Sequence, residues 1–390
     1  MIKNHRKWLG ERHRFQCVEI SANHQRGLTM VELLVALTIS LLIALAAIAA
    51  LTVARRGITT VDAASQLRDN GRFAADLIQR LGVQSGFQDV TYAAGPVSST
   101  DIVPSITGFN NAESTLSTSN SDPLTAFTAR ASGSLGDGSD ILTLRSQLVQ
   151  RQRNDTTADG SMIDCMGNTL TTGAAPTAVD DRMTSVLSIA ESPQGSGELA
   201  LMCGTRKSDG SVTNRQPIVQ GVETFQVLYG TEGVTAGAAP PITYGITAGA
   251  PPPAALTLFT PTPPTTADLT ALDNWKAAWA AWAASINQAP DRYFRADELT
   301  VAGDAASTNA NWRRIRSLRI GMVLRGPPHS AQNAVAQTLY PFGLGESSAG
   351  VAGAALSSAD DIGTIFSAPA DGRLRQVVTF TVHLRNRQGL

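Results

Sequence analysis

Gly27-Leu-Thr-Met-Val-Glu32 opens the longest apolar run in the chain. Across residues 28–54, 27 positions in all, Glu32 is the only charged side chain. At ~1.5 Å per residue this run makes roughly 40 Å of helix, more than the ~30 Å hydrocarbon core of a bilayer. An acid inside such a helix costs on the order of 2.5–3.5 kcal/mol on insertion scales, so it is a functional candidate that needs a partner. An α-amine exposed by cleavage just upstream would supply one. An ordinary secretory signal would carry an apolar core of about 7–15 residues with a small-residue cleavage site after it. The alanine-rich stretch 44–50 offers such a site, but the apolar run is nearly twice that length. A plain single-span anchor accounts for the length and leaves Gly27 and Glu32 without a reason.

The formal net charge of −1 hides an asymmetry. Residues 1–27 carry Lys3, Arg6, Lys7, Arg12, Arg14 and Arg26 against Glu11 and Glu19, a net of +4, and the remainder has 25 basic and 30 acidic residues, a net of −5. By the positive-inside rule the N-terminal segment stays cytoplasmic and the body is exported. The body has no basic surplus, so bulk charge gives no reason to expect nucleic-acid binding.

Beyond Arg55 and Arg56 the apolar pattern continues at Val61, Ala64, Leu67, Ala74, Leu77, Ile78 and Leu81, with no proline before Pro96. The spacing predicts one helix of about 55 residues, apolar first and amphipathic after residue 55. Gly57 and Gly71 are its expected weak points, and Gly82 and Gly86 its expected stop signals. Residues 93–139 read as an irregular connection with one short strand. Strands are predicted at 140–148, 185–190 and 198–203, with a short turn and strand over 218–229. Leu318, Ile320, Met322 and Leu324 alternate with Arg319, Gly321, Val323 and Arg325, and Val378, Phe380, Val382 and Leu384 repeat the pattern. These predict half-buried antiparallel strands with one solvated face. Between them lies an insertion at about 231–311, first Pro/Ala-rich, then a helix over 268–288.

The basic leader, Gly27, apolar Leu28 and Glu32 at the fifth position after the cut resemble the type IV prepilin signal. More weakly, Gly221-Val-Glu-Thr-Phe-Gln-Val-Leu-Tyr-Gly230, Ser317-Leu-Arg-Ile-Gly-Met-Val-Leu-Arg325 and Val377-Val-Thr-Phe-Thr-Val-His-Leu-Arg-Asn386 look like segments of PilW-type minor pilins. The resemblance implies an α+β pilin fold, with a long N-terminal helix packed on an antiparallel head. It implies a cytoplasmic leader 1–27, a transmembrane and assembly helix 28–54, its amphipathic continuation 55–86 and a periplasmic head 87–390. It also implies cleavage between Gly27 and Leu28, N-methylation of Leu28, and an assembly salt bridge from Glu32 to the new amine. The implied partners are other minor and major pilins, the prepilin peptidase, the inner-membrane assembly platform and the lipid bilayer. The implied sites are the inner membrane of a Gram-negative cell and then the pilus fibre. The alternatives are a type II secretion pseudopilin of the J type and a tip adhesin binding through the insertion.

With Cys17 in the cleaved leader, Cys165 and Cys203 remain, and an even pair in an oxidising compartment reads as a disulfide. It would be worth roughly 4 kcal/mol in the chain-entropy model. The alternative is two unpaired buried thiols. Trp275, Trp279 and Trp282 fall on one helical face and serve either as packing or as a recognition surface. Arg313, Arg314, Arg316 and Arg319 read as a solvated basic face. The adjacent acids Asp180-Asp181 and Asp360-Asp361 are weak evidence for a metal or an acid–base pair. Without a nucleophile elbow, zinc or phosphate-binding motif, and with few histidines, the chain is read as a non-enzyme with no cofactor and no metal.

Overall fold

The computed structural model describes residues 29–89, 103–114, 127–152, 157–169, 176–178, 181–206, 212–239, 292–343 and 361–386. Helix α1 runs Met30–Gln84 without interruption. Residues up to Arg55 and those from Arg56 onward belong to two separate compact units. In the second, α1 buries Ala63, Leu67, Gly71, Ala74, Ile78, Leu81 and Gly82, which keep the three- and four-residue spacing of one helical face.

Two glycines of α1 differ from their expected roles. A Cβ on Gly71 would sit 2.8 Å from Val378 Cγ2, and one on Gly82 would sit 2.5 Å from Val382 Cγ1. They are neither weak points nor stops; they let the helix approach the sheet closely. The stop is Gly86, whose φ of 77° lies in the left-handed region that commonly ends helices. The last turn is closed from far along the chain, because the Asn386 amide donates to the carbonyls of Val83, Gln84 and Ser85.

The head holds two main antiparallel sheets. The first orders β1 (Ile106–Phe109), β4 (Ile141–Ser146), β5 (Met183–Glu191), β6 (Leu199–Arg206) and β7 (Val212–Gln220) as β1-β4-β5-β6-β7. The second orders β8 (Val222–Thr231), β9 (Arg292–Phe294), β10 (Ile315–Arg325) and β13 (Arg375–His383) as β13-β10-β8-β9. Two small ribbons pair β2 (Ala112–Ser114) with β3 (Phe127–Ala129), and β11 (Gln337–Leu339) with β12 (Phe366–Ala368). Gly221, φ 77°, turns the chain from β7 into β8 and so from one sheet to the other. A Cβ there would run into the Arg325 carbonyl. One core joins Leu67, Ile78 and Leu81 of α1 to Leu142, Leu187 and Leu201 of the first sheet and Phe225, Ile320 and Val382 of the second.

Several segments depart from the expectations. Among its described residues, the stretch 93–139 contributes three short strands, because Ile106 and Ala112 find cross-strand partners that a local reading cannot see. The turn expected at 218 is the end of β7, an edge strand that tolerates Pro217. Strand β10 is covered on both faces, since Pro341 and Phe342 lie over Gly321 and Val323 is fully buried. The insertion is narrower than 231–311: β9 returns to pair with β8, and α2 (Ala305–Trp312) begins at Asp304, whose carboxylate caps Ser307 N at 2.9 Å. The helix expected over 268–288 lies outside the described residues.

Candidate functional site

The helix start is built by a local exchange of hydrogen bonds. Thr29 is the residue before α1, and its hydroxyl accepts from Glu32 N at 3.3 Å. Glu32 Oε2 accepts in return from Thr29 N and Thr29 Oγ1, each at 3.1 Å. This is a capping box, Thr-x-x-Glu, in which two helix-end donors are satisfied reciprocally. Sequence reasoning missed it, although threonine three residues before the glutamate was the signal. Gly27 and Leu28 lie outside the described residues.

From Met30 to Val53 the large apolar side chains of α1 are uncovered; Leu41 and Val53 are each 70% exposed. The polar side chains in this stretch turn inward on the helix. Thr38, Ser40 and Thr52 donate to the carbonyls of Val35, Ala36 and Ala49. Hydroxyls satisfied in this way leave an apolar cylinder suited to lipid or to other apolar helices. By length and composition the helix can cross a membrane.

In the head, Cys165 and Cys203 form a disulfide with Cα atoms 5.8 Å apart, and both are fully buried. It ties the loop before β5 to β6, whose Cys203 is in register with Leu187. At the end of the head near Gly221, three arginines and three acids join the two sheets. Arg375 pairs with Glu223 (Nε to Oε2, 2.6 Å) and with Asp371 (Nη2 to Oδ2, 2.7 Å). Arg325 bridges Glu223 and Glu198 at 3.1 and 2.9 Å, and Arg373 meets Glu198 at 2.6 Å. The hydrogen bonds from Arg375 hold Asp371 down at about 2, and those from Arg373 lower Glu198.

A second acidic pair has the opposite character. Asp140 and Asp361 are both buried, and the Asn110 amide nitrogen donates to Asp140 Oδ1 at 2.9 Å and Asp361 Oδ1 at 3.3 Å. Burial pushes Asp361 up to about 6, against the pull of Arg295. Burial, and then Asp361 itself, pushes Asp140 well above the carboxylate range. Of the adjacent-acid pairs, Asp181 accepts from Thr177 N and Oγ1, and Asp180 and Asp360 lie outside the described residues. Among the described residues no group of three or more His, Cys, Asp or Glu is arranged to hold a metal.

The arginine cluster is not a solvated face. Arg314 is buried and donates to the carbonyls of Glu232 and Gly233, and Arg316 pairs with Glu232 at 3.1 Å. The strand brings these cations back over the end of β8, which alternation along one strand cannot reveal. Trp275, Trp279 and Trp282 lie outside the described residues. Trp312 packs edge-on against Tyr229 with ring centroids 4.8 Å apart.

Comparison with known proteins places these features in a group. The family described as type IV pilus-assembly protein W matches residues 186–386, just over half of the chain. The prokaryotic N-terminal methylation motif matches residues 22–48, which include Gly27, Leu28 and Glu32. No curated protein matches the chain. Among solved structures, a type IV-like pilin from Thermus thermophilus is similar, with 13% identity over 83% of this chain and 98% of that one, at a TM-score of 0.33.

Proposed function

Because the chain belongs to the PilW family of type IV pilus-assembly proteins, we propose that it is a minor pilin, made as a membrane-anchored precursor and used in priming pilus assembly at or near the tip. The observation that carries this reading is the coincidence of the methylation motif with the uncovered apolar half of α1. In this reading the prepilin peptidase cuts between Gly27 and Leu28, where a residue without Cβ lets the enzyme approach the backbone. Leu28 is then methylated, and the new amine meets Glu32. The uncovered helix sits first in the bilayer, with the head on the periplasmic side of a Gram-negative inner membrane. It then exchanges lipid for the apolar helices of neighbouring pilins, delivered by the assembly platform. Glu32 gives that exchange its register, because an unpaired charge among apolar helices is costly and a paired one is not.

Mass spectrometry of protein from host membranes tests the reading. The expected N-terminus is methylated Leu28, and Gly27→Val should accumulate as full-length precursor. An N-terminus after the alanine-rich stretch 44–50 would overturn it.

A further inference from the structure

Arg55 and Arg56 close the apolar run of α1, and both are exposed. Among the described residues neither guanidinium has an ion pair or a hydrogen bond. Their own helix offers no counter-charge. On a helix a side chain meets those three and four residues away. For this pair they are Leu51, Thr52, Val53, Ile58, Thr59 and Thr60, and no acid occurs between Glu32 and Asp62. The helix passes this level unbroken, and the Arg56 carbonyl accepts from the hydroxyls of Thr59 and Thr60. Two cations on the exported side also work against the orientation set by the leader's net +4. Their presence there needs a reason.

The length of the uncharged stretch supplies one. Residues 33–54, between Glu32 and Arg55, make about 33 Å of helix. At the ~20° tilt usual for spanning helices they cover ~31 Å, close to the ~30 Å hydrocarbon core. Glu32, in the first turn of α1, then lies at the cytoplasmic boundary, and Arg55 and Arg56 lie at the periplasmic one. The counter-charge at that level is the phosphate of lipid headgroups, which the planar guanidinium fork matches with two hydrogen bonds. Successive residues of a helix point ~100° apart, so the two forks reach two headgroups. Ile58, 61% exposed, follows within about 5 Å and falls in the same interfacial layer.

We propose that Arg55 and Arg56 form a binding site for the phosphates of anionic lipids in the periplasmic leaflet. This rests on the membrane-anchored reading and adds a lipid partner to it.

The test uses the full chain in phosphatidylcholine vesicles that carry a trace of spin-labelled phosphatidylglycerol or spin-labelled phosphatidylcholine. The motionally restricted fraction of each label reads how strongly the protein holds that headgroup. Wild type should prefer phosphatidylglycerol several-fold, and Arg55→Gln with Arg56→Gln should lose most of that preference. The same change at Arg68 and Arg72, also exposed but about 20 Å farther along α1, should leave it intact. All three proteins carry the same leader, so its charge cancels from the comparison. Inorganic phosphate at equal ionic strength should not displace the lipid. Equal preference in all three proteins, equal loss at both arginine pairs, or displacement by inorganic phosphate would overturn the site. Carbonate extraction reads insertion separately: a wild type stripped from the vesicles would overturn the anchored reading together with the site.

Discussion

The carboxylate of Glu32 is held by the backbone and hydroxyl of Thr29, three residues earlier, at 3.1 Å to each. The same side chain therefore serves two tasks, closing the helix start and carrying the only charge of the apolar segment. Substitution separates them. Glutamine can keep a capping box without the charge, whereas alanine removes both.

If the charge is what assembly needs, Glu32→Gln and Glu32→Ala should both be processed and membrane-bound, yet poorly recovered in sheared pili. Thr29→Val should cost the helix start about 0.5–2 kcal/mol and leave incorporation intact. Immunoblots of sheared and membrane fractions at equal expression decide the matter. Normal recovery of Glu32→Gln alone would reduce Glu32 to a cap.

Gly82→Ala should destabilise the head by about 1–3 kcal/mol, although alanine favours helix by ~1 kcal/mol, because its Cβ meets Val382. Combining it with Val382→Ala should cost less than the sum of the two single changes, the signature of neighbours sharing one space. Thermal unfolding of the four proteins in the cycle measures that coupling, and strict additivity would contradict the close approach.

Much of this was legible in the sequence. Residues 28–54 and the heptad-like pattern after them sufficed for a single helix of 55 residues. The long strands announced themselves through Leu318 to Leu324 and Val378 to Leu384. What failed were positions whose meaning is set by distant partners. Gly82 reads as a stop until Val382 is brought against it, and Arg314 reads as solvated until the carbonyls of Glu232 and Gly233 come within reach. Pro217 argues against a strand unless that strand is known to be an edge. Thr29 was a different kind of miss, a purely local signal overlooked beside the more unusual Glu32.

Replacing Cys165 and Cys203 together by alanine should lower stability by about 4 kcal/mol, since the bridge closes a sequence separation of 38 residues. That is a large part of a typical domain's ~5–15 kcal/mol. Peptide mapping without reductant should join the two cysteine peptides in the wild type. Free alkylation of both thiols would contradict the bridge.

The two sets of acids predict a stability maximum near the ordinary carboxylate range. Asp371 and Glu198 titrate below their unfolded values, so their contribution is present above about pH 4 and is lost as pH falls toward 2. Asp361 titrates above its unfolded value, so the folded state holds the extra proton and stability declines as pH rises from about 4 through 6. Asp361→Asn should flatten that upper decline, by on the order of 2–3 kcal/mol. Arg373→Gln should make the loss on acidification shallower than in the wild type, because the Arg373 hydrogen bonds that lower Glu198 are then gone. Denaturant midpoints measured from pH 3 to pH 8 check both limbs.

The amide of Asn386 reaches back to the final carbonyls of α1, some 300 residues upstream. A chain made from its N-terminus presents that helix early and the asparagine some 300 residues later. The helix end and its cap thus meet only after the intervening strands have been made, and a chain cut short of residue 386 leaves the carbonyls of Val83, Gln84 and Ser85 without that amide.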